Sequence, residues 1–168
     1  MKELFRELRH VPLAAANGLL LLDTCFIVSM AEQQRLDEVR GPRIATTSFN
    51  LGELDHIHHH LHGNVKHALR SFLKRGDLIV VDIPVVPGER ERERAFVQSI
   101  DASLLREIPD ASDAVLAAVA LATKSDILTK DKHHLFTTVL KDHFMKYGVR
   151  VEKEWRHGLR GEMVRKEF

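Results

Sequence analysis

Four carboxylates in this chain stand at places where a fold could bring them together: Asp23, Glu53, Asp113 and Asp131. Asp23 directly follows the apolar run 19–22, four consecutive leucines, where a carboxylate gains little unless it binds something. Asp113 stands one step before the uninterrupted apolar run 114–122, and Asp131 closes the stretch Asp126-Ile-Leu-Thr-Lys-Asp131. Glu53 follows the segment 43–47, rich in β-branched residues, by six positions. Acids gathered in one cleft repel one another unless counter-charge sits between them. Oxygen donors without thiolate suit hard divalent cations, Mg²⁺ or Mn²⁺. Two such ions side by side can activate a water and stabilise a departing oxygen, which is the chemistry of phosphodiester hydrolysis.

The elements that must position these acids can be read from the apolar pattern. A short continuous apolar run such as 19–22, preceded by Asn17-Gly18, suits a strand covered on both faces, as in parallel sheets. The run 114–122 has no polar stripe, so the helix expected over 111–124 belongs inside the protein. Further strands are expected at 44–47, 78–81, 126–129 and 149–151. Helices are expected at 2–9, 26–39, 89–100 and 132–147, and from a cap at Ser48 or Asn50 to residue 74 with a break at Gly63-Asn64. Strands alternating with helices mean βαβ units and a mostly parallel sheet. Ligands of open parallel sheets bind beyond the carboxyl ends of the strands. Asp23 and Asp131 fall on that edge; Asp126, which precedes its strand, falls on the opposite one.

The 168 residues are most simply one domain with a sizeable core. A net charge of +1 argues neither for nor against a nucleic-acid partner, which would need positive residues gathered locally. One cysteine, Cys25, rules out an internal disulfide and fits a reducing compartment. Near the N-terminus Lys2, Arg6 and Arg9 precede an apolar stretch, but Glu3 and Glu7 interleave them and Pro12 and Asn17 interrupt it. That is no secretory signal, and the stretch is too short to span a bilayer, so a soluble cytoplasmic protein without a membrane partner is expected.

LLLLDTCFIV around Asp23, TTSFNLGELDHI around Glu53, and SDAVLAAVALATKSDILTKD carrying Asp113 and Asp131, closed by a strand at 149–151, together resemble the PIN-domain nucleases. The likeness covers residues 18–152, leaving a short N-terminal helix and a basic C-terminal tail outside it. It implies a three-layer α/β/α sandwich with a five-stranded parallel sheet, and metal-dependent cleavage of single-stranded RNA. It also implies Asp23, Glu53, Asp113 and Asp131 as catalytic metal ligands, with Mg²⁺ or Mn²⁺ as cofactor. Thr129 matches the family's threonine before the last acid, whereas Cys25 replaces its usual small polar residue. The partner beyond RNA would be an antitoxin or an RNA-processing protein. A catalytically silent scaffold in RNA processing or ribosome assembly is the alternative. A phospho-receiver domain is a weaker one, since Asp23-Thr24 lacks the acidic pair that reading needs.

Several neighbours compete between roles. Asp110, after Pro109, is best explained as a helix N-cap. His56, His58, His59, His60, His62 and His67 form a cluster whose i, i+4 pairs could hold zinc, although a solvated helix face is the better explanation. His56 and His60 lie on the Glu53 side and could touch phosphate, as could Lys130, Lys132, His133 and His134 around Asp131. Leu4, Phe5 and Leu8 have no place in a five-stranded core, which points to a homodimer.

Overall fold

The computed structural model describes residues 1–131 and 138–156. Lys132, His133, His134 and the tail beyond residue 156 lie outside them. Six strands form one sheet: β1 (Arg9–Pro12), β2 (Leu20–Leu22), β3 (Ile44–Thr47), β4 (Ile79–Asp82), β5 (Asp126–Leu128) and β6 (Val151–Glu152). Every pairing is parallel, in the order β1-β4-β3-β2-β5-β6. The helices are α1 (Lys2–Glu7), α2 (Thr24–Glu32), α3 (Ser48–His58), α4 (Gly63–Lys74), α5 (Arg90–Asp101), α6 (Leu104–Glu107), α7 (Ala111–Thr123) and α8 (Thr138–Lys146). Among the described residues no helix is long and apolar enough to cross a membrane.

The two faces of the sheet carry separate cores because side chains alternate along each strand. Leu21, Ala45, Val81 and Ile127 point to one face, where Phe96 and Val97 of α5, the whole of α7's middle, and Phe144 of α8 cover them. Leu20, Leu22, Ile44, Val80 and Leu128 point to the other, under Phe26 and Ile27 of α2 and Leu69 and Phe72 of α4. The result is the three-layer α/β/α sandwich expected from the sequence, with six strands in place of five.

The extra strand is β1, set at the edge against β4. Only Val11 in Arg9-His-Val-Pro12 has a strand-forming side chain, so the segment carries no pattern of its own. Its proline is tolerated because the strand is at an edge. A side-chain contact helps hold it there. His10 Nδ1 meets Asp82 Oδ1 at 2.8 Å and His10 Nε2 meets the Phe5 carbonyl at 2.8 Å. Both ring nitrogens can donate only in the imidazolium, so these contacts raise the His10 pKa, Asp82 contributing most. A raised histidine pKa means stability present below the unfolded value of 6.5 and lost as pH rises through the folded one. His10→Gln is therefore expected to destabilise at about pH 5.5, by no more than about 1 kcal/mol at so exposed a site, and to be neutral at about pH 8.5. Urea unfolding at the two pH values measures it.

The apolar residues near the N-terminus find their cover within the chain. Leu8 is buried, and Leu4 and Phe5 pack against the core that α4 also lines. These residues thus have a place in the chain's own core, where Leu4 and Phe5 are half-buried.

Helix α7 is deeply buried, with residues 114 through 120 at most 4% exposed. It lies between the sheet and α5, and its alanines let both approach. Lys124, at φ 49°, turns the chain left-handed and ends it before β5. Ala117, fully buried, leaves no room for a larger side chain. Ala117→Leu is expected to cost about 1–3 kcal/mol of stability in urea unfolding.

Candidate functional site

The chain order of the sheet reverses at β2, since β3 and β4 lie to one side of it and β5 and β6 to the other. Asp23 follows β2 and Asp131 follows β5, so both stand at the carboxyl edge beside this switch point, where such sheets bind ligands. Glu53 comes from the second turn of α3, which begins directly after β3, and Asp113 from the first turn of α7. All four acids line one pit of about 40 Å³, together with Phe49, Asn50, Ser112 and Leu116. That is room for an ion and its waters but far too little for a nucleotide. Asp23, Glu53, Asp113 and Asp131 also border a wider groove of about 500 Å³, whose remaining wall is Thr24, Cys25, Val28, Ser29, Glu32 and Ile57.

Asp23 is the most tightly held of the four. Its Oδ1 accepts from the Thr24 backbone N–H at 2.7 Å and from Asn50 Nδ2 at 3.3 Å. Its Oδ2 accepts from Thr129 Oγ1 at 2.6 Å and from Cys25 Sγ at 3.1 Å. The first bond makes Asp23 the N-cap of α2, so the residue has a structural use that its place after four leucines did not reveal. Burial nevertheless raises its pKa, and the nearby Asp131 charge adds to the rise while the hydrogen bonds oppose it.

Glu53 Oε2 accepts from Thr24 Oγ1 at 2.8 Å and from Asn50 Nδ2 at 3.2 Å. Burial, then repulsion from Asp23 and Asp113, pushes its carboxyl up to about 7. Asp23 and Glu53 thus behave as expected within a crowded set, since burial and neighbouring acids make both harder to ionise. Among the described residues, however, no three His, Cys, Asp or Glu side chains are drawn into a ready coordination cage. The donor set fits a hard divalent ion by its chemistry, being carboxylate oxygens around a polar pit.

Asn50 is the residue that sequence reasoning missed, having weighed it only as a helix cap. The N-cap of α3 is instead Thr47, whose Oγ1 accepts from the Asn50 N–H at 3.0 Å. Thr47 Oγ1 also donates to Asn50 Oδ1 at 2.6 Å, which turns the amide so that Nδ2 faces Asp23 and Glu53. A buried amide N–H₂ between two carboxylates is a fixed partial positive charge shared by both. Its signal was the spacing Asn50-x-x-Glu53, which puts both side chains on one helix face.

Cys25, which departs from the family's small polar residue, still acts as a donor to Asp23. It also receives the Lys130 N–H at 3.3 Å and lies 3.3 Å from Thr129 Oγ1. Part of the residue reaches the surface, yet burial of the thiol and then the Asp23 charge push it up to about 12. It is a proton donor here, not a thiolate nucleophile. Thr129 is fully buried and, besides holding Asp23, accepts the Asp131 N–H at 3.0 Å. It positions the two acids that flank it in space and in sequence.

The auxiliary expectations fare unevenly. Asp110 is exposed and caps α7 through the Ser112 N–H at 3.0 Å, outside the pit. Lys130 lines neither pit nor groove, and its Nζ sits 6.0 Å from the Phe26 ring centre. His56 and His60 are exposed and line neither cavity; Ile57 takes that wall. The zinc pairs His56/His60 and His58/His62 fail as helical pairs because α3 ends at His58. His58 itself is buried, with Nε2 lacking a hydrogen-bond partner, so it is not part of a solvated face. Burial, then the Lys66 and Arg70 charges, lowers its pKa. Asp126 lies at the opposite edge, as expected, accepting from the Arg150 N–H at 2.7 Å.

The chain matches no protein-family model and no curated protein. The likeness to PIN-domain nucleases therefore rests on the residues quoted above.

Proposed function

We propose that this chain is a PIN-like endoribonuclease that cuts phosphodiester bonds of single-stranded RNA with the help of Mg²⁺ or Mn²⁺. The observation that carries the reading is the convergence of Asp23, Glu53, Asp113 and Asp131 on one small pit at the switch point of a parallel sheet. Asp23, Asp113 and Asp131 would hold the ion, and Glu53 would hold it or orient a water. When bound, such an ion supplies a water acidic enough to act at neutral pH and charge to offset that of the leaving oxygen.

The chain's own groups do the rest. Thr129, Cys25 and the Thr24 N–H fix the Asp23 carboxylate in one orientation. Asn50 spaces Asp23 from Glu53 by donating to both, which keeps two repelling acids at a set separation. The wide groove accepts the nucleotide that the pit cannot, with Val28 and Ile57 offering an apolar wall for a base or ribose. A small antitoxin or an RNA-processing protein is the expected macromolecular partner.

Attack by water needs no 2′-hydroxyl, so the products should carry no 2′,3′-cyclic phosphate. Mass spectrometry of the fragments of a defined single-stranded RNA, cut in Mn²⁺, tests this. Cyclic phosphate ends would assign the cut to the ribose hydroxyl and overturn the mechanism.

A further inference from the structure

From His56 to Gly76 the sequence holds Lys66, Arg70, Lys74, Arg75 and six histidines, and not one acid. Over the whole chain acids and bases nearly balance, 24 against 25, so this stretch is a local excess of positive charge. Arg75 has a structural duty, donating to the Leu36 and Val39 carbonyls and pairing with Asp77. Lys66, Arg70 and Lys74 do not pair with any acid among the described residues; Lys66 Nζ donates to the His59 carbonyl at 3.2 Å. They follow one another at four-residue spacing along α4, forming a stripe of like charge that weakens the helix slightly. Arg70 and Lys74 are exposed, as are His59, His60, His62 and His67, while Val65, Leu69, Phe72 and Leu73 face the core. Of the elements packed against α4, helix α1 adds Lys2 and Arg6 but also Glu3 and Glu7. The turn Leu36–Glu38 adds Asp37 and Glu38, the latter paired with Arg35, so the excess belongs to α4 and the histidines alone.

The patch begins past the far end of α3, whose nearer turns wall the acidic groove, and runs along α4 toward the amino end of β4. Helix α3 carries Glu53 and Ile57 on the groove wall and ends at the histidines. At 1.5 Å per residue, His59 lies about 9 Å beyond Glu53 along the helix. We propose that the α3–α4 corner is a docking track for the sugar-phosphate backbone of single-stranded RNA on its way into the groove. Arg70 and Lys74 contact phosphates, with Lys66 behind them. The exposed imidazoles donate N–H groups to phosphate oxygens and stack on unpaired bases. An acidic groove repels RNA, and a basic track beside it supplies the attraction that the net charge of +1 cannot. The choice of RNA as the occupant rests on the nuclease reading.

The test is binding of a short labelled oligouridine to the full chain in excess EDTA, across a salt series. Arg70→Gln with Lys74→Gln should weaken binding about tenfold or more and lower the salt slope by about 1.4, at ~0.7 per lost phosphate contact. His59→Ala with His62→Ala should weaken binding with a smaller change of slope. Circular dichroism should be unchanged for both, since all four residues are exposed. Unaltered affinity and slope in both variants would overturn the proposal. So would tighter binding of the wild type to phosphatidylserine vesicles than to RNA, lost in the same variants. Loss of RNA binding in the variants, with no cleavage by the wild type in any metal, would keep the track and remove the nuclease. Metal-dependent cleavage with RNA binding intact in both variants would do the reverse.

Discussion

Asp23→Asn, Asp113→Asn and Asp131→Asn should each lower RNA cleavage by a factor of about 100 or more, with the fold unchanged. The substitution keeps shape and removes one charge, at Asp23 also exchanging one accepting oxygen for an N–H₂. Charge is what a divalent ion needs from these residues. Losses of that size are usual when one preorganised electrostatic contact to a reacting centre is removed. Asp23→Asn should be the most severe, because Asp23 is the acid whose orientation is fixed by four donors. Thr129→Val separates position from charge, since it leaves all four acids in place but removes the 2.6 Å donor to Asp23. It should weaken Mn²⁺ affinity, measured by calorimetry, and saturating metal should restore much of its cleavage rate. Full activity for Asp23→Asn at saturating Mn²⁺ would remove this residue from the site.

The second large effect is on stability and runs the other way. In metal-free buffer Glu53→Gln should make the protein more stable at alkaline pH. The Glu53 carboxyl titrates at about 7 in the fold against 4.5 in the unfolded chain, burial being the main cause. Below 4.5 both states are protonated and the group is neutral to stability. As pH rises the unfolded chain ionises first, so folding loses free energy until the folded group ionises too, and above about 7 the full loss is present. That loss is at most roughly 3 kcal/mol. The raised Asp23 pKa acts in the same direction. In EDTA, unfolding by urea at about pH 8.5 should show Glu53→Gln as the more stable protein, and near pH 4 the two should coincide. Added Mn²⁺ should stabilise the wild type more than the variant, because an ion bound only by the folded chain raises its stability. A variant less stable at both pH values would show that Glu53 is a structural hydrogen-bond acceptor and not a strained acid.

Such a conflict between stability and chemistry explains which parts of this protein were legible in its sequence. Buried parallel strands and a helix apolar on all sides mark themselves by composition, so β2 through β6 and α7 could be placed within a residue or two. The four acids could be named because each stands where an apolar element stops. Edge strand β1 could not be seen, since Arg9-His-Val-Pro12 becomes a strand only by pairing with β4. Asn50 was hidden because a helix-start Asn usually caps, and here Thr47 holds that role. Cys25 looked like a departure, although a thiol can donate to Asp23 as a hydroxyl would. The histidines were misjudged in one respect: the end of α3 at His58 tucks that ring inward and turns the rest outward.

Cleavage of a labelled single-stranded RNA in three samples tests the central claim most directly: wild type with Mn²⁺, wild type with Mn²⁺ and excess EDTA, and Asp23→Asn with Mn²⁺. Cut product is expected in the first sample alone. Equal cleavage in all three would contradict a metal-dependent site built on Asp23, and no cleavage with Mn²⁺ or Mg²⁺ would contradict the nuclease itself and leave a scaffold.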